Sequence, residues 1–191
     1  MGWIFYDSQE IKENGQVDRK SEMDKGFDNH LEVVKSAMVG REYYAALKNI
    51  ETGKVFAYAA STSSDKKGGS NFGYKGFTES SGPVWAKCPK SILTLLTPTD
   101  DQYANEWRER CRKYHKEKGK VKELNNLPYG TKISVGNLTL IKQLYKRNPH
   151  SSNKPLTYWI DWSVNKYLRP AQIIERGYVV ELLGDGYTGR R

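Results

Sequence analysis

Asn71-Phe72-Gly73-Tyr74-Lys75-Gly76-Phe77, Cys88-Pro89-Lys90-Ser91-Ile92-Leu93 and Trp107-Arg108-Glu109-Arg110-Cys111 are the landmarks of one stretch on whose reading the fold turns. Its first part alternates large and flexible residues, the pattern of an edge strand or an exposed aromatic platform. The rest reads as two consecutive helices. The first is expected to start at Pro89, whose fixed φ and missing donor suit a first helical turn. It buries Ile92, Leu93, Leu95 and Leu96 and stops before Pro98, because the residue preceding proline avoids helical geometry. The second has Thr99 as N-cap and Gln102 as its capping-box partner, with Asp100 and Asp101 at the positive end of the dipole. Tyr103, Trp107, Cys111 and Tyr114 (or Ala104 and Trp107) recur at helical spacing and predict an apolar face. Arg108, Glu109, Arg112, Lys113 and Lys116 are assigned to the opposite, exposed face.

Working outward, Gly2–Asp7 holds Trp-Ile-Phe-Tyr, a short apolar run that reads as a buried strand. Asp18–Gly26 reads as a short helix stopped by Gly26. His30–Val39 fits a strand or a short helix. Arg41–Ile50 and Lys54–Ala60 flank Glu51-Thr52-Gly53, a hairpin signal supported by Tyr43, Tyr44, Val55, Phe56 and Tyr58. Ser61–Ser70 reads as a polar, glycine-rich loop. On the other side, Lys116–Lys122 leaves the helix as a charged linker. Then Pro128–Val135, Asn137–Tyr145, Leu156–Ser163 and Tyr178–Leu183 read as short strands, with one helical turn at Pro170–Gly177. So many short strands in so few residues predict a small SH3-like or OB-like β-barrel. The expected fold is therefore α+β: an antiparallel sheet with two helices over 1–118, a basic linker at 119–122, the barrel at 123–183 and a flexible tail at 184–191.

Charge is placed unevenly. Residues 1–105 carry 13 Lys/Arg and 14 Asp/Glu, residues 106–122 carry 8 and 3, and residues 123–191 carry 10 and 5. The net charge of +9 thus comes wholly from the second half, an asymmetry that points to a polyanionic partner. Cys88 and Cys111 are the only cysteines, which argues against a disulfide scaffold or a Cys-rich zinc site and for reduced, half-buried thiols. The amino terminus lacks a basic segment followed by an apolar run, and no apolar run spans a bilayer, so a cytoplasmic protein without a membrane partner is expected.

Catalytic signals are sparse. His30, His115 and His150 show no metal-ligand spacing, and neither a phosphate-cradling glycine loop nor a nucleophile elbow occurs, so no metal or cofactor is implied. A ribonuclease would draw its acid–base groups from Tyr74, Lys75, Glu79 and His115, against a plain reading of exposed strand and turn for the first three. The basic residues are more informative. Arg108, Arg112, Lys113 and Lys116, extended by Lys118, Lys120 and Lys122, form a row suited to phosphates. Beyond them Tyr145, Tyr158, Trp159, Trp162 and Tyr167 interleave with Lys142, Lys146, Arg147, Lys166 and Arg169. Aromatics for stacking among cations for phosphates is how single strands are held, with Tyr158 or Trp162 the expected stacking residue. Trp159 and Trp162 equally suit a core.

The ordered set Asn71-Phe-Gly-Tyr-Lys75, Gly82-Pro83, Cys88-Pro89, Leu95-Leu-Thr-Pro-Thr99 and Trp107-Arg108-x-x-Cys111, with the amino-terminal Gly-Trp, resembles a family of proteins met on plasmids, phages and conjugative elements. The resemblance covers about residues 1–115 and brings no established activity. It implies a setting, the accessory cargo of mobile DNA, where small proteins block restriction or CRISPR systems. The expected function is binding to RNA, DNA or a nucleoprotein, as an inhibitor of a host defence nuclease such as a type II CRISPR effector with its guide RNA. The alternatives are an RNA-trimming ribonuclease and a protein-interaction module.

Overall fold

The computed structural model describes residues 4–7, 18–64, 71–145 and 156–186, which divide into two compact units, Met1–His115 and Lys116–Arg191. In the first unit, strand β1 (Ile4–Asp7) is followed by helix α1 (Arg19–Lys25), then strands β2 (Leu31–Val39), β3 (Glu42–Asn49), β4 (Val55–Ser64) and β5 (Asn71–Thr78). After β5 come a 3-10 turn (Glu79–Ser81), the single-turn helix α2 (Lys90–Leu93) and the long helix α3 (Gln102–Asn126). The strands form one antiparallel sheet in the order β1-β5-β4-β3-β2. The ambiguous run after His30 is thus a strand, because β3 supplies a partner along its length.

Both faces of this sheet are covered, and strand alternation decides which residue goes where. Tyr43, Ala45, Leu47 and Ala60 pack with Met23 of α1, joined by Phe27 and Tyr58. Tyr44, Ala46, Ala57 and Ala59 pack on the other side with Cys88, Ile92, Trp107 and Cys111. The small alanines let the Trp107 indole approach, and its Nε1 donates to Trp85 O at 2.8 Å. The sheet also needs a glycine. A Cβ at Gly76 would sit 1.8 Å from Tyr58 Oη, so the tyrosine ring lies across β5 only because no side chain stands there.

The second unit adds strands β6 (Lys132–Val135), β7 (Leu138–Tyr145), β8 (Leu156–Asp161) and β9 (Lys166–Leu168), helix α4 (Pro170–Arg176) and strand β10 (Val179–Leu182). They form a second antiparallel sheet in the order β10-β6-β7-β8-β9. Its core comprises Leu124, Ile133, Val135, Leu140, Trp159, Leu168 and Ile173, all on one face of the sheet with the end of α3 and α4. Gly184 then crosses so close to Tyr129 and Thr131 that a Cβ would meet Tyr129 O at 1.9 Å, and its N–H donates to Thr131 Oγ1 at 3.0 Å.

Several expectations need correction. No closed barrel forms: among the described residues β9 and β10 are the two edges and do not pair. They are three and four residues long, and β10 carries a register shift, so neither offers the ladder that closure requires. Residues 119–122 are not a linker but helix. Strong helix formers continue to Asn126, one Gly119 costs only about 1 kcal/mol against alanine, and Leu124 anchors the end in the second core. α2 is a single turn, and β4 claims Ser61–Ser64 from the expected loop, whose remainder lies outside the described residues. Asp101, not Thr99, caps α3: its Oδ1 accepts from Ala104 N at 2.9 Å, while Thr99 Oγ1 accepts from Asp101 N. Gly184–Gly186 of the expected tail is held by Thr131 Oγ1 and Tyr129 O, and residues 187–191 lie outside the description. Among the described residues no helix is long and apolar enough to cross a membrane.

Candidate nucleic-acid interface

Strand register builds a cavity on the second sheet from residues spread along the sequence. Gln143 pairs with Tyr158, and Ile141, Ile160 and Tyr167 stand in one cross-strand row. Since Trp159 and Leu168 point to the core, Tyr158, Ile160 and Tyr167 face the opposite way. Tyr158, Ile160 and Tyr167, with Gln143, Leu144, Trp162 and Asn165, line an open cavity of about 380 Å³. Tyr158 and Tyr167 meet edge to face with ring centroids 6.0 Å apart. Trp162 and Tyr167 are 59% and 60% exposed, too open for core aromatics. The row continues to β6, where Lys132 pairs with Ile141. Lys132 therefore shares the open face, two strands and about 10 Å from Ile160.

The turn carrying Trp162 is held by one carboxylate. Asp161 Oδ1 accepts from Ser163 N at 2.9 Å and Ser163 Oγ at 2.6 Å, and Oδ2 accepts from Thr139 N at 3.0 Å. Hydrogen bonds from the Ser163 side chain above all, with those from the backbone, hold its carboxyl below the ordinary aspartate range. Asn165 completes the turn at φ 48°, a left-handed value that asparagine tolerates better than most residues. Trp162 is thus presented by a fixed turn.

The expected basic row is broken up. Arg108 is buried, not exposed: its Nε and Nη2 donate to Glu79 at 2.8 and 2.6 Å, and Nη1 donates to Thr97 O at 2.8 Å. It staples α3 to the 3-10 turn and the segment before Pro98, and is unavailable to phosphate. Arg112 is exposed and lies 3.3 Å from Glu109. Lys113, Lys116, Lys118, Lys120 and Lys122 are exposed on α3. At 3.6 residues per turn, however, Lys116 and Lys120 lie on one side of the helix and Lys118 and Lys122 on nearly the opposite side. The Lys116–Lys122 segment belongs to the same unit as the cavity, yet α3 packs on the core face, across the sheet from Tyr158 and Trp162.

Other members of the aromatic–cation pattern have structural work. Trp159 is core. Lys142 is buried and donates to Asn125 O and Leu127 O, satisfying carbonyls at the end of α3, with its ammonium 4.8 Å from the Tyr129 ring centroid. Burial pulls its pKa below the ordinary lysine value. The side chain of Tyr145, and Lys146 and Arg147, lie outside the described residues.

The four ribonuclease candidates are not gathered around one cleft. Glu79 is held by Arg108. Tyr74 lines a cleft of about 110 Å³ with Met23, Gly26, Phe27 and Tyr58, and none of the other three candidates lines it. Lys75 faces the other side of β5, its ammonium 5.8 Å from the Phe77 ring. His115 Nε2 sits 2.7 Å from Cys88 O, beneath the first sheet's other face. Both thiols are fully buried; burial pushes Cys88 well above the ordinary thiol value and Cys111 up to about 11. Among the described residues no group of three or more His, Cys, Asp or Glu is placed to hold a metal.

Sequence reading named Tyr158 and Trp162 but missed Gln143, Asn165 and Lys132 as their neighbours, and set Tyr167 only among the interleaved aromatics. The alternation Tyr158-Trp159-Ile160 carried part of the signal; the three-residue β9, too short to see, carried the rest. Comparison with protein-family models, curated proteins and solved structures gives no match.

Proposed function

We propose that the second unit binds single-stranded nucleic acid on the open face of its sheet. The observation that carries this reading is the aromatic group of exposed Trp162 and Tyr167 and half-buried Tyr158 around one cavity, on a sheet face that buries no core of its own among the described residues. Bases stack on such platforms whatever their identity. Lys132 on the same face, and Arg169 two residues after Tyr167, are exposed and supply phosphate contacts. The unit holds 14 Lys/Arg against 6 Asp/Glu, net +8, where the first holds 17 against 16. The lysines of α3 then act at longer range, drawing a polyanion in without fixing its register. The motif resemblance to mobile-element proteins alone directs the choice of polymer, toward the guide RNA or DNA of a host defence nuclease such as a type II CRISPR effector.

Anisotropy of labelled single-stranded RNA, single-stranded DNA and duplex DNA across a salt series tests this. Single strands bind more tightly, quench Trp162 fluorescence and give a log–log salt slope of about −1.4 for two phosphate contacts. An effector–guide complex added as competitor tests the host target. No salt-sensitive binding to any polymer overturns the reading.

A second reading rests on a different observation. Edge strand β10 exposes Val179, Val180 and Leu182, followed by exposed Leu183, an apolar edge of the kind that a partner strand extends. It predicts protein capture that salt does not weaken and that Val180→Lys abolishes.

A further inference from the structure

We infer that the bound strand crosses the second sheet at right angles to its β-strands, from β9 to β6, and that the ligand is therefore an oligonucleotide of about four residues or more, not a nucleotide or dinucleotide. The inference rests on the single-strand reading above and adds to it a path and a length. Register fixes the path. Lys132, Ile141, Ile160 and Tyr167 pair in turn across β6, β7, β8 and β9, so all four stand in one row on the open face. Arg169 is exposed and its backbone is extended, at φ −76° and ψ 152°. Two residues after Tyr167, it carries the same face on past β9.

Among the described side chains, the cations of this face thus lie at its two ends and the strands between hold none. β7 turns Thr139, Ile141 and Gln143 outward and β8 turns Tyr158 and Ile160, while Lys142, opposite the core residue Trp159, points inward. A nucleic-acid strand running along β7 or β8 would meet no positive charge. One running across them meets Arg169, the aromatic group, Ile160 and Ile141 and then Lys132. Bases over the apolar floor and a phosphate at each end satisfy both kinds of contact. Three strand spacings, about 14 Å, separate β9 from β6. At about 3.4 Å per nucleotide a stacked strand covers that distance in about four residues. A single nucleotide can reach the aromatic group and Arg169, but not Lys132 as well.

Competition by oligothymidylates of two, four, eight and twelve residues against a labelled twelve-residue strand, on the full chain, tests the path and the length. Affinity is expected to rise at least fivefold from two residues to four, the share of one phosphate contact at about 0.1 M salt. Beyond four it rises only in proportion to the number of positions that a longer strand offers. Lys132→Ala lowers affinity about fivefold for four residues and longer and halves the salt slope, yet leaves the two-residue ligand unchanged. Arg169→Ala weakens every length. Both side chains are exposed, so neither substitution opens the core. A Lys132→Ala effect that is equal at two residues and four, or absent at every length, overturns the crossing path and leaves single-strand binding standing. An affinity that keeps climbing steeply past eight residues overturns the length. Binding of no oligomer, the labelled strand included, overturns the single-strand reading together with the inference.

Discussion

Each unit contains a five-stranded antiparallel sheet, but among the described residues the first is packed on both faces and the second on one. In the first, even the charged pair Arg108–Glu79 is drawn into the interior, and the alanines of β3 and β4 make room for Trp107. In the second, Trp162 and Tyr167 stand in solvent beside the carboxamides of Gln143 and Asn165. A sheet covered on both sides has its side chains committed to stability; a sheet with one bare face can offer them to a ligand. The contrast in charge, +1 against +8, points the same way.

The largest effect should come from the first unit. Arg108→Ala leaves Glu79 as an unpaired buried carboxylate and is expected to cost about 3–5 kcal/mol in chemical denaturation. Replacing both partners with apolar residues should cost clearly less, and equal losses would show that the pair is not acting as a buried pair. In the second unit, Gly184→Ala drives a Cβ into the Tyr129 and Thr131 backbone, with an expected loss of roughly 1–3 kcal/mol. Lys142→Met strips two carbonyls at the end of α3 of their donor, for about 1.5–3 kcal/mol. Trp162→Ala should sharpen the contrast most: under about 0.5 kcal/mol in stability, as for an ordinary surface residue, but roughly 1–3 kcal/mol in single-strand affinity.

The smallest effect is one of pH. The carboxyls of Asp101 and Asp161 are both held below their unfolded values, Asp101 chiefly by the Ala104 N–H and Asp161 chiefly by Ser163. Their stabilisation is complete above about pH 4 and drains away as pH falls through the folded-state values. Thermal unfolding from neutral pH to pH 3 should show the decline, and Asp161→Asn should flatten it while loosening Trp162, seen as a red-shifted emission.

What the sequence made legible follows the range of the interactions. Helix α1 between Asp18 and Gly26, the β3–β4 hairpin and the strand character of Asn71–Phe77 are local patterns, and all were readable. The site was half readable: Tyr158 and Trp162 stood out by type, but their gathering with Tyr167, Gln143 and Lys132 depends on pairing across four strands, which no local pattern encodes. Arg108 misled for a physical reason. Its helical position sits at the margin of the buried face, and only Glu79, distant in the chain, makes an inward guanidinium affordable. Lys142 misled likewise, since the carbonyls it caps belong to a helix expected to have ended earlier.

The Tyr58 ring lying over Gly76 makes the order of any sequence change at these two positions matter. A lineage that first shrinks residue 58 can later place a side chain at 76, while one that tries the reverse meets a collision at once. The two sites should therefore drift only as a pair, and a homologue with a bulky residue at 76 should already have given up the aromatic at 58.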